Sequence, residues 1–444
     1  MNNLDKLDSF SDEIMKNSFV AKLFSIMRAR VNLAPTGIIP YLLIISIYFL
    51  LICLCLPYFA EDRTGIGLII LLTFFLFLLN LFSNKSLVVQ FNSIDFLILV
   101  FILISAMSTF SSYFLKESLL GFIKYLLYFL LYFVIKITMM NRASASLAPT
   151  NLFIFLCVGA SIISAIGIWQ YISGVEPLAT WEDPNIENIH TRVYSTLGNP
   201  NLLAGYLLLM LPVSVFLPVN LKQKLLILAG SVIMFCCLIL TGSRGGYIGL
   251  ITISLFLFII FLVRQKRLKS IFFYLILFIL LILALTFMFP IFTERISTIF
   301  TFREHSSNNF RINVWSSCLE MLKDNFLTGI GPGNSTFREV YGLYMKNNFD
   351  ALSAYNIFLE IGIETGILGC IAFILIFVLS LLKLHYLFWQ KGNLFALGIF
   401  LSLVGVLIHG MTDTVFFRPQ IFIPFWFLIA SIAKLDMEEK ERQV

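Results

Sequence analysis

The sequence predicts an all-α polytopic membrane protein of about twelve transmembrane helices, with both termini cytoplasmic and a large outer loop between helices 9 and 10. Three observations carry this prediction. First, 59% of the residues are hydrophobic and only 13% are charged, about half the roughly 25% charge of a soluble domain. The chain lacks the polar groups to cover itself in water. Second, its apolar residues form solid runs, not the alternating segments of about ten residues that build a barrel. Helices satisfy their own backbone groups in lipid, so solid runs mean helices. Third, lysine and arginine are segregated from loop to loop.

The runs lie near 39–59, 65–82, 94–112, 118–140, 151–171, 199–219, 224–241, 245–263, 270–290, 353–382, 393–413 and 417–433. Crossing a hydrocarbon core of about 30 Å takes about 20 apolar residues; the short second run also fits a re-entrant segment. With the N-terminus inside, the cytoplasmic side, Lys136 included, carries nineteen Lys and Arg. The short outer loops carry five: Arg63, Lys116, Arg192, Arg244 and Arg418. The long loop adds six more, but long loops cross largely regardless of charge. The chain therefore divides into a cytoplasmic N-terminal segment (1–38), helices 1–9 (39–290), a large periplasmic loop (291–352), helices 10–12 (353–433) and a cytoplasmic tail (434–444). Residues 1–38 are polar and mixed in charge, unlike a cleavable signal. Six of the seven cysteines sit in apolar runs and Cys318 in the long loop, a pattern with neither disulfide framework nor metal-ligand spacing. The net charge of +6 comes without a basic cluster interleaved with aromatics, so nucleic acid is not an expected partner. No Walker motif is present, and no metal or cofactor is expected. The partner implied by composition is the bilayer of a cytoplasmic (inner) membrane.

Outer-side arginines run against the charge bias, so each needs a reason. Arg192 precedes Asn199-Pro200-Asn201, where a capping Asn with Pro just inside starts a helix well; a plain cap and a ligand contact both fit. Thr241-Gly-Ser-Arg-Gly-Gly246 is a tight turn that puts Arg244 at a helix N-terminus. That end already favours anions, and a guanidinium grips phosphate oxygens in pairs; a snorkelling interfacial arginine is the alternative. From Arg311, residues Ile312, Trp315, Leu319 and Leu322 recur at helical spacing, which predicts an amphipathic helix lying on the membrane. Gly329-Ile-Gly-Pro-Gly-Asn334 follows, either an amide cradle built around Gly331, Gly333 and Asn334 or a plain loop. In the tenth helix, Asn356, Glu360 and Glu364 share a face. Two carboxylates there are costly unless they are paired or face water, so they either pair with the outer arginines or work as acid or base. His409 and Asp413 form a further i, i+4 pair, assigned to helix packing, and Lys124 is an intramembrane charge.

The set Arg192, Asn199-Pro-Asn201, Ser243-Arg-Gly-Gly246, Gly331-Pro-Gly-Asn334 and Asn356-x-x-x-Glu360-x-x-x-Glu364-x-Gly366 resembles the O-antigen ligase and polymerase superfamily (Wzy and WaaL type) over residues 150–430. Tyr341-Gly-Leu-Tyr-Met345 with Ala351-Leu-Ser-Ala-Tyr-Asn356 looks like the cyanobacterial IctB subgroup, named for a role in inorganic carbon accumulation. The superfamily resemblance implies a metal-independent and nucleotide-independent transfer of a glycan from a polyprenyl diphosphate to a hydroxyl acceptor. Arg192, Arg244 and Arg311 would hold the leaving diphosphate, where preorganised cations help most. Such ligases usually carry His just before the motif Asn; here that position is Tyr355, and an earlier family His position is Ser353. Tyrosine, with a pKa near 10, is a poor base at neutral pH, which leaves Glu360 beside Tyr355 as the catalytic candidate. The subgroup resemblance implies instead bicarbonate uptake, and a scaffold that kept the fold but lost the chemistry is a third reading.

Overall fold

In the computed structural model, described over residues 3–17, 38–56, 64–84, 89–141, 149–175, 192–264, 307–346 and 349–442, every regular element is a helix. In chain order these are α1 (Asn3–Asn17), α2 (Ile39–Cys55), α3 (Thr64–Ser83), α4 (Ser93–Ser111), α5 (Leu115–Met140), α6 (Pro149–Ser173), α7 (Pro200–Phe216), α8 (Leu221–Leu240), α9 (Arg244–Arg264), α10 (Ser307–Asp324), α11 (Asn334–Tyr341), α12 (Ile357–Trp389), α13 (Leu394–Gly410) and α14 (Pro419–Glu441). Eight of them are long and apolar enough to cross a membrane, and α2, α7 and α13 are shorter apolar helices. The second run forms the 20-residue α3, long enough to span. The ninth run, near 270–290, and the start of the long loop lie outside the described residues.

The bundle is built around α14, whose Phe425 and Trp426 are fully buried. Trp426 packs edge-on to Phe129 and Tyr132 of α5, with ring centroids 5.0 and 5.5 Å away. Such offset aromatic pairs are favoured by the ring quadrupoles. The other main contacts join α7 to α13, α4 to α12, α6 to α8 and α9 to α13.

The two ends of the bundle differ in chemistry. At one end α1 docks through Asp8, which accepts from Lys383 Nζ at 2.6 Å and from Ser93 N at 2.9 Å. Asp5 lies 3.3 Å from Lys440, and Arg264 stacks over Phe388 at 4.4 Å. The described parts of both chain ends therefore meet at one end, the end that the lysine bias assigns to the cytoplasm. Lys136, expected in a cytoplasmic loop, is instead inside α5 and buried against Asp95. The long-chain ammonium stays in the bundle because Asp95, itself held by Tyr132 at 2.7 Å, supplies the opposite charge.

At the opposite end the tenth run is not one continuous helix. Gly366 interrupts α12 with φ 69° and ψ −178°, a conformation that suits a residue without Cβ. The segment 326–333 docks against this break: Ile367 N donates to Phe326 O at 2.8 Å, Ile330 N to Ile363 O at 2.8 Å and Gly331 N to Glu364 O at 3.0 Å. These bonds satisfy backbone groups that the break would strand in an apolar setting. Leaving the break, the segment crosses α5 so closely that a Cβ on Gly121 would sit 2.1 Å from Pro332 O.

Candidate functional site

The arginine cluster is assembled by helix ends. Asn199 caps α7, accepting from Asn201 N at 2.8 Å and Leu202 N at 3.1 Å, so its side chain is used structurally. Asn201, one step into the helix, has its side chain free for the site. Its Oδ1 accepts from Arg192 Nη2 at 2.8 Å, and its Nδ2 donates to Asp413 Oδ2 at 2.7 Å. Arg192 Nε donates to Thr241 O at 3.1 Å, just past the C-terminus of α8, where spare carbonyls and the helix dipole attract a cation. Asp413 is held by its own turn, with Val415 N donating to Oδ1 at 3.1 Å.

From the long loop, α10 brings Arg311 to 4.0 Å from Asp413 Oδ2. Asn308, one turn earlier on the same helix face, accepts from Arg244 Nη1 at 2.9 Å. Two arginines distant in sequence thus meet one face of α10 while a third reaches the same aspartate through Asn201. Arg311 Nε is buried with no hydrogen-bond partner among the described residues. So is His409 Nε2. The His409 ring lies where Cβ atoms on Gly205 and on Gly245, next to Arg244, would come within 3.4 and 3.3 Å of it.

The helix predicted from Arg311 exists, but its packed face is not the predicted one. Val314, Cys318 and Met321 are buried, whereas Ile312 and Leu319 are exposed. The buried face docks in a small second core with Phe337, Tyr341 and Ile363, because the broken α12 and α11 offer it an apolar partner.

The carboxylates of α12 are placed apart from the arginines. Asn356 caps the helix through Phe358 N and Leu359 N, and its Nδ2 donates to Met411 O at 3.1 Å. Glu360 Oε2 accepts from Ala354 N at 2.5 Å, which folds residues 353–356 back over the helix start. Glu364 accepts from Tyr125 Oη at 2.5 Å and from Gly333 N at 2.8 Å. Of the two readings of Glu360 and Glu364, pairing with the outer arginines is not what the structure shows, for backbone and tyrosine donors hold both carboxylates. The cradle expected of Gly331 and Gly333 does form, but its amides serve the carbonyl and carboxylate of Glu364. Asn334, at the start of α11, ties that loop to Leu352 O at 3.1 Å.

Tyr355 stands between the two groups. It adopts φ 51°, unusual for a non-glycine residue, and packs edge-on against Phe310 of α10 at 5.4 Å. Burial first, then the negative charge of Asp413, pushes its hydroxyl above the ordinary phenol range. Ser353 shares a hydrogen bond of 2.6 Å with Thr414, so the segment is tied to the turn carrying Asp413. Lys124 is exposed on α5; its charge acts on Glu364. No group of His, Cys, Asp and Glu among the described residues is arranged to hold a metal ion.

Sequence reasoning missed the role of the turn at 409–413. It saw His409 and Asp413 as a pair at the right end of a helix, but nothing local shows that Asp413 joins Asn201 to Arg311. Asn308 carried no signal at all.

An all-helical membrane bundle whose outer end gathers arginines around one aspartate is a polytopic membrane protein with an O-antigen-ligase-like region, for residues 229–374 match the family described as O-antigen ligase. That match holds Arg244, Arg311, Tyr355, Glu360 and Glu364 and is narrower than the 150–430 region of the resemblance. Over 388 residues the chain is also 23% identical to the ComP-specific O-oligosaccharyltransferase of Acinetobacter baylyi (strain ATCC 33305 / BD413 / ADP1), an alignment covering 86% of this chain and 67% of that protein.

Proposed function

We propose that this protein transfers a glycan from a polyprenyl-diphosphate donor to a hydroxyl acceptor at the outer face of the cytoplasmic membrane. The observation that carries the reading is the meeting of Arg192, Arg244 and Arg311 through Asn201, Asp413 and Asn308. The cluster brings three guanidinium groups to one junction, a set of donors suited to an anion with several oxygens.

In the proposed step the acceptor oxygen attacks the anomeric carbon. The bond from that carbon to the diphosphate oxygen breaks, and the electron pair leaves with the diphosphate. Guanidinium groups already in place stabilise that developing charge without reorganising. The acceptor's proton passes to a carboxylate, and we assign this to Glu360, beneath the Ser353–Asn356 segment. Tyr355, with its hydroxyl proton held more tightly than an ordinary phenol's, is a hydrogen-bond donor that orients the acceptor, not the base. Asn199, Asn356, Asn334, Gly331, Gly333 and Glu364 shape the site through helix caps and the loop seated on α12.

The test supplies purified protein in bilayer discs with a synthetic polyprenyl-diphosphate oligosaccharide and follows polyprenyl diphosphate release and acceptor glycosylation. Wild type should turn over and Arg244→Ala should not. In parallel, cells lacking the protein are compared for surface glycans and bicarbonate uptake. Unchanged glycans with lost uptake would favour the inorganic-carbon role implied by the IctB resemblance and sink the transferase reading.

A further inference from the structure

Helix α1 carries three stripes of one spacing. Asp5, Asp8 and Asp12 form the first, Lys6, Ser9 and Glu13 the second, and Leu7, Phe10 and Ile14 the third. Each runs i, i+3, i+7, and each is displaced from the one before by a single residue, about 100° around the helix. A helix written this way shows three chemistries to three sides. The aspartates face the bundle: Asp8 accepts from Lys383 Nζ at 2.6 Å and from Ser93 Oγ at 2.7 Å. Asp12 accepts from Phe91 N at 3.4 Å, and Asp5 lies 3.3 Å from Lys440. Lys6, Ser9 and Glu13 are exposed and suit water. Leu7, Phe10 and Ile14 are exposed as well, and water does not suit them.

Their position identifies what covers them. Ser93, which Asp8 holds, is the first residue of the span α4, so α1 lies at the level where that span enters the membrane. The exposed side of α4 runs Phe96, Leu103, Met107 and Phe110, and that of α12 runs Ile371, Leu375, Val378 and Leu382. Both are apolar stripes at helical spacing on membrane spans, and so face lipid. The α1 stripe meets both at their cytoplasmic ends. A groove of about 220 Å³ is lined by Leu7, Phe10 and Ile14 together with Phe96, Leu97 and Leu379. The stripe therefore continues a lipid-facing surface. Three side chains along about two turns also fall short of the roughly 800 Å² per partner that a standard protein interface buries.

Charge sets how α1 reaches this place. It carries Asp5, Asp8, Asp12 and Glu13 against Lys6 and Lys16, so an anionic leaflet repels it. Surface-seeking helices ordinarily carry the lysines and arginines themselves; here Lys383 and Lys440 of the bundle supply them. We propose that α1 is an interfacial helix of the cytoplasmic leaflet, in which phospholipid acyl chains cover Leu7, Phe10 and Ile14 and fill the groove beside Phe96, while the bundle's lysines hold the helix in place. Contact with lipid is then a property of the docked helix and does not depend on anionic headgroups.

The experiment uses the full chain in discs of phosphatidylcholine, with and without phosphatidylglycerol. A photoactivatable benzoylphenylalanine replaces Phe10 in one preparation and Ser9, on the neighbouring stripe, in another. After illumination, adducts are mapped by mass spectrometry. Position 10 should capture acyl chains about tenfold more than position 9, which faces water, with the same yield in both kinds of disc. Lys383→Gln should lower capture at position 10 severalfold, because the helix keeps its apolar stripe and loses the cation that seats it. Lys440→Gln, whose pair with Asp5 lies at the surface, should act in the same direction with less disturbance of the bundle. Equal capture at positions 9 and 10 would overturn the assignment. So would adducts of position 10 on residues 18–37 or on a second copy of the chain, or a yield that climbs with phosphatidylglycerol. Capture unchanged in both lysine variants would overturn the part given to the bundle.

Discussion

The two ends of the bundle handle buried charge in opposite ways. At the cytoplasmic end, each buried ion is matched by a partner and by further hydrogen bonds. Lys136 meets Asp95, which Tyr132 also holds, and donates to Gln90 O at 2.9 Å. Lys383 is clasped by both oxygens of Asp8. At the outer end three arginines converge on one junction, and Arg311 Nε and His409 Nε2 are buried without partners among the described residues. A buried polar atom left unmade costs about 1–3 kcal/mol. Among the described residues, the buried ionisable side chains with unmade bonds lie at this end. Paired charges orient helices; on the proposed reading, the unmade bonds are kept for a ligand.

The contrast is testable because it assigns different losses to the two ends. Lys136→Ala strands Asp95 in the bundle, and breaking a buried pair costs about 3–5 kcal/mol. Thermal unfolding in detergent should show a loss of that size, while turnover per folded molecule stays near wild type. If activity fell and stability did not, the division between the ends would be wrong. Arg311→Ala should do the reverse. Removing one preorganised donor to a developing anion costs about 10²- to 10³-fold in rate, with stability little changed. Arg311→Lys should recover part of that rate, since an ammonium keeps the charge and loses the paired geometry.

The same contrast explains what the sequence disclosed. The apolar runs near 199–219 and 245–263 became α7 and α9 within a few residues, because a membrane helix is written locally in length and hydropathy. Both described chain ends meet at one end, where Asp5 lies 3.3 Å from Lys440, as a charge bias that puts both termini on one side requires. The site was legible as residue types but not as a graph. Arg192 and Arg244 stand out by opposing the bias and Arg311 through the resemblance, whereas their junction depends on Asn201 reaching Asp413 across 212 positions, a separation that no helical period spans. The break in α12 was hidden for another reason. A single glycine in an apolar run is ordinarily tolerated as helix, and only the 326–333 segment docking against Gly366 makes the interruption stable. The glycine-rich turn reads from sequence as either an amide cradle or a plain loop, and that its amides serve Glu364 depends on long-range contacts.

Gly366→Ala tests the break in α12 at the outer end. The added Cβ would lie 2.2 Å from Leu327 O at a φ of 69°, so the docked segment must shift. Strain of this kind costs about 1–3 kcal/mol. Turnover should fall as well, because the segment carries the amide that holds Glu364 and Glu360 lies one turn from it. A protease-accessibility assay on residues 326–333 would show the loosening; an unchanged cleavage pattern would mean that the docking does not depend on the break.

The smallest effect expected is on α1, and it sharpens the comparison through pH. Asp8 is partly buried, which alone would raise its pKa, but the charge and hydrogen bonds of Lys383 and the hydrogen bonds from Ser93 outweigh this and hold it below the ordinary carboxylate range. A carboxylate depressed in the folded state contributes stability above its unfolded pKa of about 4, and that contribution fades as pH falls through the lower folded value. Docking of α1 should therefore be constant from about pH 7 to 5 and weaken only below about 4. A fluorophore on Ser9, exposed on α1, would report this as falling anisotropy. Asp8→Asn should show the loosened state at every pH, and wild-type docking no firmer than that of Asp8→Asn at about pH 7 would refute the role of this pair. A guanidinium group stays charged throughout this range. Acid should therefore release the cytoplasmic strap while leaving the positive charge of the anion site in place.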